Sequence, residues 1–303
     1  MIEKQISDVL NQIQLEGTPV SAERYGCGHI NVTWLVETDS DVKYILQKMS
    51  TAMCKDSAGL MRNIYLVTEH LKKKTTDPRA VMTIIPTKDG NIYYADDNGN
   101  WRVYVFVPDT LCLQTVESDE DFYQSALAFG KFGDDLKDFP SEELLEVIPN
   151  FHNTPNRYRI FHEKLDADVM GRAAQVQKEI EFFLAHEEEM GTLQKMREDG
   201  TLPVKVTHND TKLNNVLLDQ TTRTALCVID MDTVMPGLSA YDYGDSIRFG
   251  AATAAEDEKD LDKVWMDLHK YQVYTEGFLK ASPGLTEKEI EMLPMGAKTM
   301  TLE

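Results

Sequence analysis

His208-Asn209-Asp210-Thr211-Lys212-Leu213-Asn214-Asn215 and, further on, Cys227-Val228-Ile229-Asp230-Met231-Asp232 are two polar clusters that flank a pair of short apolar runs. The runs are Asn215-Val216-Leu217-Leu218 and Ala225-Leu226-Cys227-Val228-Ile229-Asp230, and the polar stretch Asp219-Gln220-Thr221-Thr222-Arg223-Thr224 separates them. Two apolar runs joined by turn formers read as an antiparallel hairpin. In that register Leu218 opposes roughly Ala225, which brings Asn215 beside residues 228–230. Asp210, Asn215 and Asp230 then converge at one end of the hairpin. Carboxylate and amide oxygens of this kind suit magnesium, which takes few protein ligands and shares the rest of its shell with water and phosphate.

The spacing His-x-Asp-x-x-x-x-Asn, followed by an Asp at the end of an apolar strand, is the layout of a kinase catalytic loop and its metal-binding carboxylate. On that reading Asp210 orients an acceptor hydroxyl and takes its proton. Asn215 and Asp230 hold magnesium on the nucleotide phosphates, and Asp232 binds a second ion or orients the first ligands. Lys212 reaches the transferring phosphoryl oxygens as a point charge, and His208 anchors the loop. The plain alternative is that Asp and Asn are ordinary turn residues. The hairpin spacing and the β-rich segment before it favour phosphoryl transfer.

That segment reads as strands over residues 31–38 and 42–48, joined by Asp39-Ser40-Asp41. A helix carries Leu60, Ile64, Val67 and Leu71 at helical spacing, with Lys72-Lys73-Lys74 at its C-terminal end, where cations suit the helix dipole. Further strands are expected over 81–85, 92–94 and 101–107. Gly26 and Gly28, in Tyr25-Gly26-Cys27-Gly28-His29-Ile30-Asn31, precede a strand and are compatible with a phosphate-covering turn, although most such pairs are plain turns. Lys48 ends the second strand, where a kinase puts its phosphate-pairing lysine. A slip of one residue would turn Gln47 to the nucleotide instead. Glu69 on the following helix is a candidate partner for Lys48.

After Pro108-Asp109 the pattern turns helical, over 119–136 and in a long charged helix over about 166–190, with a loop over 149–157. The shift gives an α+β chain: a β-rich nucleotide-binding N-lobe over 1–108 and a larger, mainly helical catalytic and substrate-binding C-lobe over 109–303. The chain has 303 residues, 42% of them apolar, and a formal net charge of −20. Such a surface repels nucleic acid and anionic membranes and argues against both as partners. It reads first as solubilising, and second as a field that would steer a cationic substrate. No apolar run approaches the ~18 residues of a membrane span. The N-terminus lacks the basic and apolar regions of a signal peptide. Cys27, Cys54, Cys112 and Cys227 are scattered and form no metal-binding or disulfide pattern. Cys112 and Cys227, in apolar runs, read as small core residues. A reduced, cytoplasmic compartment is the expectation, and nothing points to an oligomeric state.

These residues resemble the aminoglycoside phosphotransferase/choline kinase superfamily, which has a protein-kinase-like two-lobed fold. The stretches 207–215, 228–237 (Val228-Ile229-Asp230-Met231-Asp232-Thr233-Val234-Met235-Pro236-Gly237) and 241–250 (Tyr241-Asp242-Tyr243-Gly244-Asp245-Ser246-Ile247-Arg248-Phe249-Gly250) together look like the N-acetylhexosamine 1-kinase branch. Gly28-His29-Ile30-Asn31, Ile45-Leu46-Gln47-Lys48 and Ile148-Pro149-Asn150-Phe151-His152-Asn153-Thr154 also fit it. The resemblance implies ATP- and magnesium-dependent phosphorylation of the anomeric hydroxyl of N-acetylglucosamine or N-acetylgalactosamine. It makes Asp210 the base, Asn215 and Asp230 the metal ligands, and Asp242 the brace of the catalytic loop. His29, Arg248 and Phe249 fall in motifs that line the sugar pocket, where a neutral sugar asks for directional hydrogen bonds and an aromatic face. The plain alternatives are core packing for Phe249 and a salt bridge to Asp245 for Arg248. Two departures stand out. Asn209 and Asn214 replace glycines that other superfamily members carry beside the catalytic Asp. Family members also continue for several tens of residues past the point matching Glu303, so further residues are expected to complete the sugar pocket. The competing functions are an aminoglycoside or choline-like amine as acceptor, and a catalytically silent binding module.

Overall fold

A computed structural model describes residues 2–26, 30–52 and 54–303. The first elements are α1 (Lys4–Leu10), β1 (Pro19–Arg24), β2 (Val32–Thr38), β3 (Lys43–Met49) and α2 (Ser57–Leu71). Next come β4 (Tyr94–Asp96), β5 (Gly99–Val105), β6 (Thr110–Cys112), α3 (Asp119–Asp135), α4 (Thr154–Ala167), α5 (Gln177–Met190) and α6 (Thr192–Glu198). The chain closes with β7 (Lys205–Thr207), β8 (Val216–Asp219), β9 (Ala225–Val228), β10 (Met235–Gly237), α7 (Ser239–Gly250), α8 (Leu268–Ala281) and α9 (Glu287–Leu302). They form two compact units. One gathers Met1–Gln114, Asp138–Ile148 and Asn214–Met235; the other gathers Thr115–Lys137, Pro149–Leu213 and Pro236–Glu303.

The first unit is built on an antiparallel sheet of order β1-β2-β3-β5-β4. Strand parity gives the sheet two faces. Val36, Tyr44, Leu46, Trp101 and Val103 point to one face, where Ile6, Val9, Leu10 and Ile13 of the N-terminal segment cover them. Thr33, Ile45, Gln47, Arg102 and Tyr104 point to the other. In α2, Asp56 caps the N-terminus by accepting from the Gly59 amide at 2.9 Å, and Leu60, Ile64, Val67 and Leu71 are all buried, as the helical spacing predicts. Asn63 of α2 is fully buried and donates to the Leu145 and Val234 carbonyls. A second sheet, β6-β8-β9, carries the hairpin. Its register is Val216↔Val228, Leu217↔Cys227 and Leu218↔Ala225, with an irregularity between Leu217 and Leu218. The Ile229 amide donates to the Asn215 carbonyl at 2.9 Å, so the hairpin arithmetic holds.

The second unit is helical. Helices α3 and α8 pack together, as do α7 and α9. The α7–α9 contact is a backbone approach: a Cβ on Gly244 would sit 2.3 Å from the Gly296 carbonyl oxygen, and one on Gly296 would sit 2.1 Å from that of Ala240. Thr286 and Glu289 close a capping box at the start of α9.

Several expectations are corrected. Residues 81–85 form no strand; only isolated bridges, Val81↔Val228 and Ile84↔Tyr104, tie them to the sheets. The expected helix over 166–190 is broken. α4 ends at Asp168, which takes a left-handed φ of 31° and accepts from the Arg172 and Ala173 amides, and α5 restarts at Gln177. The expected loop over 149–157 already contains the first turn of α4, capped by Asn153 with Pro155 at its start. Cys227 is buried, but Cys112 is exposed. Strand β1 and helix α1, which no sequence signal marked, complete the first unit.

Candidate active site

In the second unit, residues 207–213 hold an extended loop by backbone bonds to α7. The Asp242 carboxylate accepts from the His208 and Asn209 amides at 2.9 and 2.8 Å. The Asp245 carboxylate accepts from the Thr211 amide at 2.7 Å, and the Thr211 hydroxyl donates to the Asp242 carbonyl at 2.5 Å. Ser246 donates to the Thr211 carbonyl at 2.8 Å, and the Tyr274 hydroxyl donates to Ser246 at 2.6 Å. Asp210 is thus the residue between two pinned amides. Burial pushes the Asp242 carboxyl above the usual carboxylate range, against the pull of the two amides that donate to it. Amide–carboxylate bonds in such a site are stronger than neutral ones, and leaving their donors unmet is costly. His208 is fully buried between the rings of Phe129 and Phe132, at centroid distances of 5.4 and 5.8 Å, an anchoring place rather than a chemical one.

Asn209 has φ of 63°. That left-handed conformation favours glycine and is otherwise tolerated best by Asn and Asp. It accounts for an Asn at this position, where a glycine would otherwise serve. The Asn209 side chain accepts from the Thr207 hydroxyl at 2.9 Å and returns a bond to the Thr207 carbonyl.

Lys212 lies 4.0 Å from Asp210 and 3.8 Å from Glu256. Arg248 pairs with Asp245 at 2.9 Å, as the plain alternative for it expects, and also with Glu256 at 2.5 Å. Burial works against the charge on Arg248, but the Asp245 and Glu256 carboxylates outweigh it and raise its pKa. Phe249 is half-buried on the same helix.

In the first unit a cavity of about 290 Å³ opens on the Arg102 face of the five-stranded sheet, and Gly26, Thr33, Gln47, Arg102, Asn215 and Asp230 are among its lining residues. Tyr25, Ile45, Met82, Tyr104 and Phe106 give it an apolar wall. Gly26, with φ of 76°, turns the chain between β1 and β2. Gly28 and His29 lie outside the described residues. Asn215 and Asp230 thus line one cavity, the latter in a left-handed conformation (φ 58°) just past β9. Asp232 is engaged at both oxygens: Arg102 Nη1 meets Oδ1 at 2.5 Å, and Asn31 Nδ2 meets Oδ2 at 2.7 Å.

Of Gln47 and Lys48, Gln47 is the one that lines this cavity. Lys48 belongs to the other face of the sheet, where its ammonium sits 5.4 Å from the Trp101 ring centroid and its stem lies against Gly99. Glu69 pairs with Lys72 at 2.7 Å on its own helix. Sequence reading missed Arg102. It is 1% exposed, donates from Nε to Gln47 at 2.9 Å, and lies over the Tyr104 ring. Alternation puts it on the face opposite Trp101 and Val103, where a buried charge is tolerable only with a partner. Cys112 also lines the cavity; its thiol donates to the Asn214 carbonyl at 3.2 Å.

The sequence pattern of the phosphotransferase enzyme family (APH) matches residues 21–272. Among solved structures, an aminoglycoside phosphotransferase from Alicyclobacillus acidocaldarius is similar with a TM-score of 0.62 at 14% identity, over 99% of this chain and 83% of that one. The amicoumacin kinase hAmiN, solved in complex with AMP-PNP, Ca2+ and Ami, gives 0.62 at 12% identity over 99% and 93%. A microcompartment-associated aminopropanol kinase gives 0.57 at 16% over 98% and 86%. Together they show a kinase-like α+β fold with a small antiparallel-sheet N-lobe and a larger helical C-lobe.

Proposed function

The chain belongs to the phosphotransferase enzyme family, and from that premise we propose that it transfers the γ-phosphoryl group of ATP to the anomeric hydroxyl of an N-acetylhexosamine. The observation that carries phosphoryl transfer is the loop around Asp210, pinned by α7 through three backbone amides. Asp210 takes the proton of the acceptor hydroxyl as that oxygen attacks phosphorus. Lys212, 4.0 Å from Asp210, neutralises charge on the transferring group. Positioning and charge stabilisation are most of what this reaction asks of a protein.

The donor set fits a hard divalent ion. Asn215 and Asp230 offer oxygens in one cavity, and magnesium prefers such ligands. These two residues would hold the ion, which when bound supplies charge neutralisation on the phosphates. Chelating divalent ions is expected to abolish turnover, and added magnesium to restore it, as read by ADP release. Activity that survives chelation would overturn the assignment.

The sugar acceptor rests on the motifs over 207–250 and on one electrostatic observation. A cationic acceptor needs carboxylates left over to receive it, whereas Asp245 and Glu256 already face Arg248, and Glu256 also faces Lys212. Arg248 and Phe249 are the candidates for sugar contact. His29 shares that assignment from its motif. The amine reading has its own support, because one similar structure is an aminopropanol kinase and the chain carries a formal charge of −20. A panel of N-acetylhexosamines, aminoglycosides and amino alcohols separates the two, with the product resolved by 31P NMR. The expected product is the sugar 1-phosphate. Phosphorylation at another hydroxyl, or amines outcompeting neutral sugars, would refute it.

The brace is testable separately. Asp242→Asn replaces an acceptor of two amides with a group that must turn an N–H toward one of them, at about 1–3 kcal/mol. It is expected to lower kcat roughly 10–100-fold through misplacement of Asp210 and to release hydrogen-exchange protection at His208 and Asn209. Unchanged kcat and protection would remove Asp242 from its positioning role.

A further inference from the structure

Nucleotide phosphates need a cation on the sheet face that lines the cavity, and the lysine expected there is on the other face. Parity makes this a rigid statement. Gln47 pairs with Arg102 and Lys48 with Trp101 across β3 and β5. Residues one apart on a strand cannot exchange faces without slipping the whole register, and Leu46, Val103 and Trp101 anchor that register in the core. Lys48 therefore sits with the α1-covered face, its ammonium against Trp101.

We infer that Arg102, held by Asp232 and Gln47, is the residue that receives the nucleotide phosphates in this protein, in place of Lys48. The inference deepens the phosphotransferase reading and rests on it. Arg102 lines the same cavity as Asn215 and Asp230, so it stands with the oxygen donors assigned to the metal. Its Nη1 is fixed by Asp232 and its Nε by Gln47, and Nη2 donates to no described residue. An arginine offers five N–H donors in a planar fork, so two anchored nitrogens still leave a donor pair for a phosphate. Asp232, itself secured by Asn31, restrains the guanidinium before any ligand arrives. The Asn31 side chain in turn accepts from the Ser50 amide at 2.9 Å, tying Asp232 to the end of β3. Asp232 is on this account a positioning residue for Arg102, which leaves metal binding to Asn215 and Asp230.

A phosphate contact and a merely structural cross-link differ in one ratio. Affinities for ADP and for adenosine are measured by calorimetry on the whole protein and its variants. Arg102→Met is expected to weaken ADP about 10–100-fold, the scale of a lost charge-assisted bond, with adenosine changed less than about twofold. Removing one partner strands Asp232, so Arg102→Met/Asp232→Asn is the companion variant, in which neither buried charge is left alone. The same ADP-to-adenosine split is expected there. Lys48→Met is expected to leave both affinities within about twofold. Equal losses for ADP and adenosine in both Arg102 variants, or no loss for either, would overturn the inference. So would a Lys48→Met loss as large as that of Arg102→Met. A wild-type protein that binds no adenine nucleotide would sink the phosphotransferase reading together with this one; nucleotide binding without the split sinks this one alone.

Discussion

Asp210→Asn is expected to cut kcat about 10³-fold, within the 10²–10⁴ range for loss of a positioned general base. That factor is roughly 4 kcal/mol of transition-state stabilisation. The amide cannot take the acceptor's proton, yet it fills the same space. The loop is held through the backbone amides of His208, Asn209 and Thr211, bonds that an Asp210→Asn change leaves in place. Nucleotide affinity and the melting temperature should therefore stay near wild type, while turnover collapses. Asp210→Ala should fall at least as far. Either variant keeping more than a tenth of wild-type kcat would remove Asp210 from the chemistry.

The largest effect on stability is expected from Gly296→Ala. Alanine in a helix is worth about 1 kcal/mol over glycine, so propensity alone predicts a gain. Packing reverses the sign. The new Cβ would lie 2.1 Å from the Ala240 carbonyl oxygen and 2.8 Å from the Ala240 carbonyl carbon, both backbone atoms that no rotamer change can move. α7 and α9 must separate along a buried face, and close-packed interiors do not absorb that. A contact this short with backbone puts the cost at or above the upper end of the overpacking range of about 1–3 kcal/mol, which leaves a net loss of about 2 kcal/mol after the propensity gain. For units of this size that is a fall of roughly 4–8 °C in the melting midpoint. Gly244→Ala meets the same contact from the other side, with its Cβ 2.3 Å from the Gly296 carbonyl oxygen. The two changes should be less than additive, since one separation relieves both. A Gly296→Ala midpoint at or above wild type would show that the helices can part freely. Because α7 carries Asp242 and Asp245, kcat should also fall below the melting range.

The hairpin was legible because its apolar runs and polar turn leave one sensible pairing, and residues 215 and 230 follow from it. Helix α2 was legible from Leu60, Ile64, Val67 and Leu71. The break after α4 was not, because Asp168 and Gly171 sit in a charged stretch that continues a helical composition on both sides. Strand period two explains the ambiguity at Gln47 and Lys48: alternation tells that neighbours face opposite ways, and only the packed core tells which way. Arg102 was hidden for a related reason. A search for a nucleotide-binding cation looks along β3, whereas the side chain comes from β5, and its partner Asp232 lies 130 residues further on.

That separation bears on how the first unit comes into being during synthesis. The five strands through Val105 emerge long before Asp232 does. At roughly 5–20 residues per second, a ribosome needs about 7–26 s to supply the 130 residues between Arg102 and its counter-ion. A guanidinium buried without its partner costs about 3–5 kcal/mol, enough to keep the sheet loosely assembled until Asn214–Met235 arrive to complete the unit. The nascent protein is thus expected to delay closing this cavity until Asn215 and Asp230, which also line it, have been made.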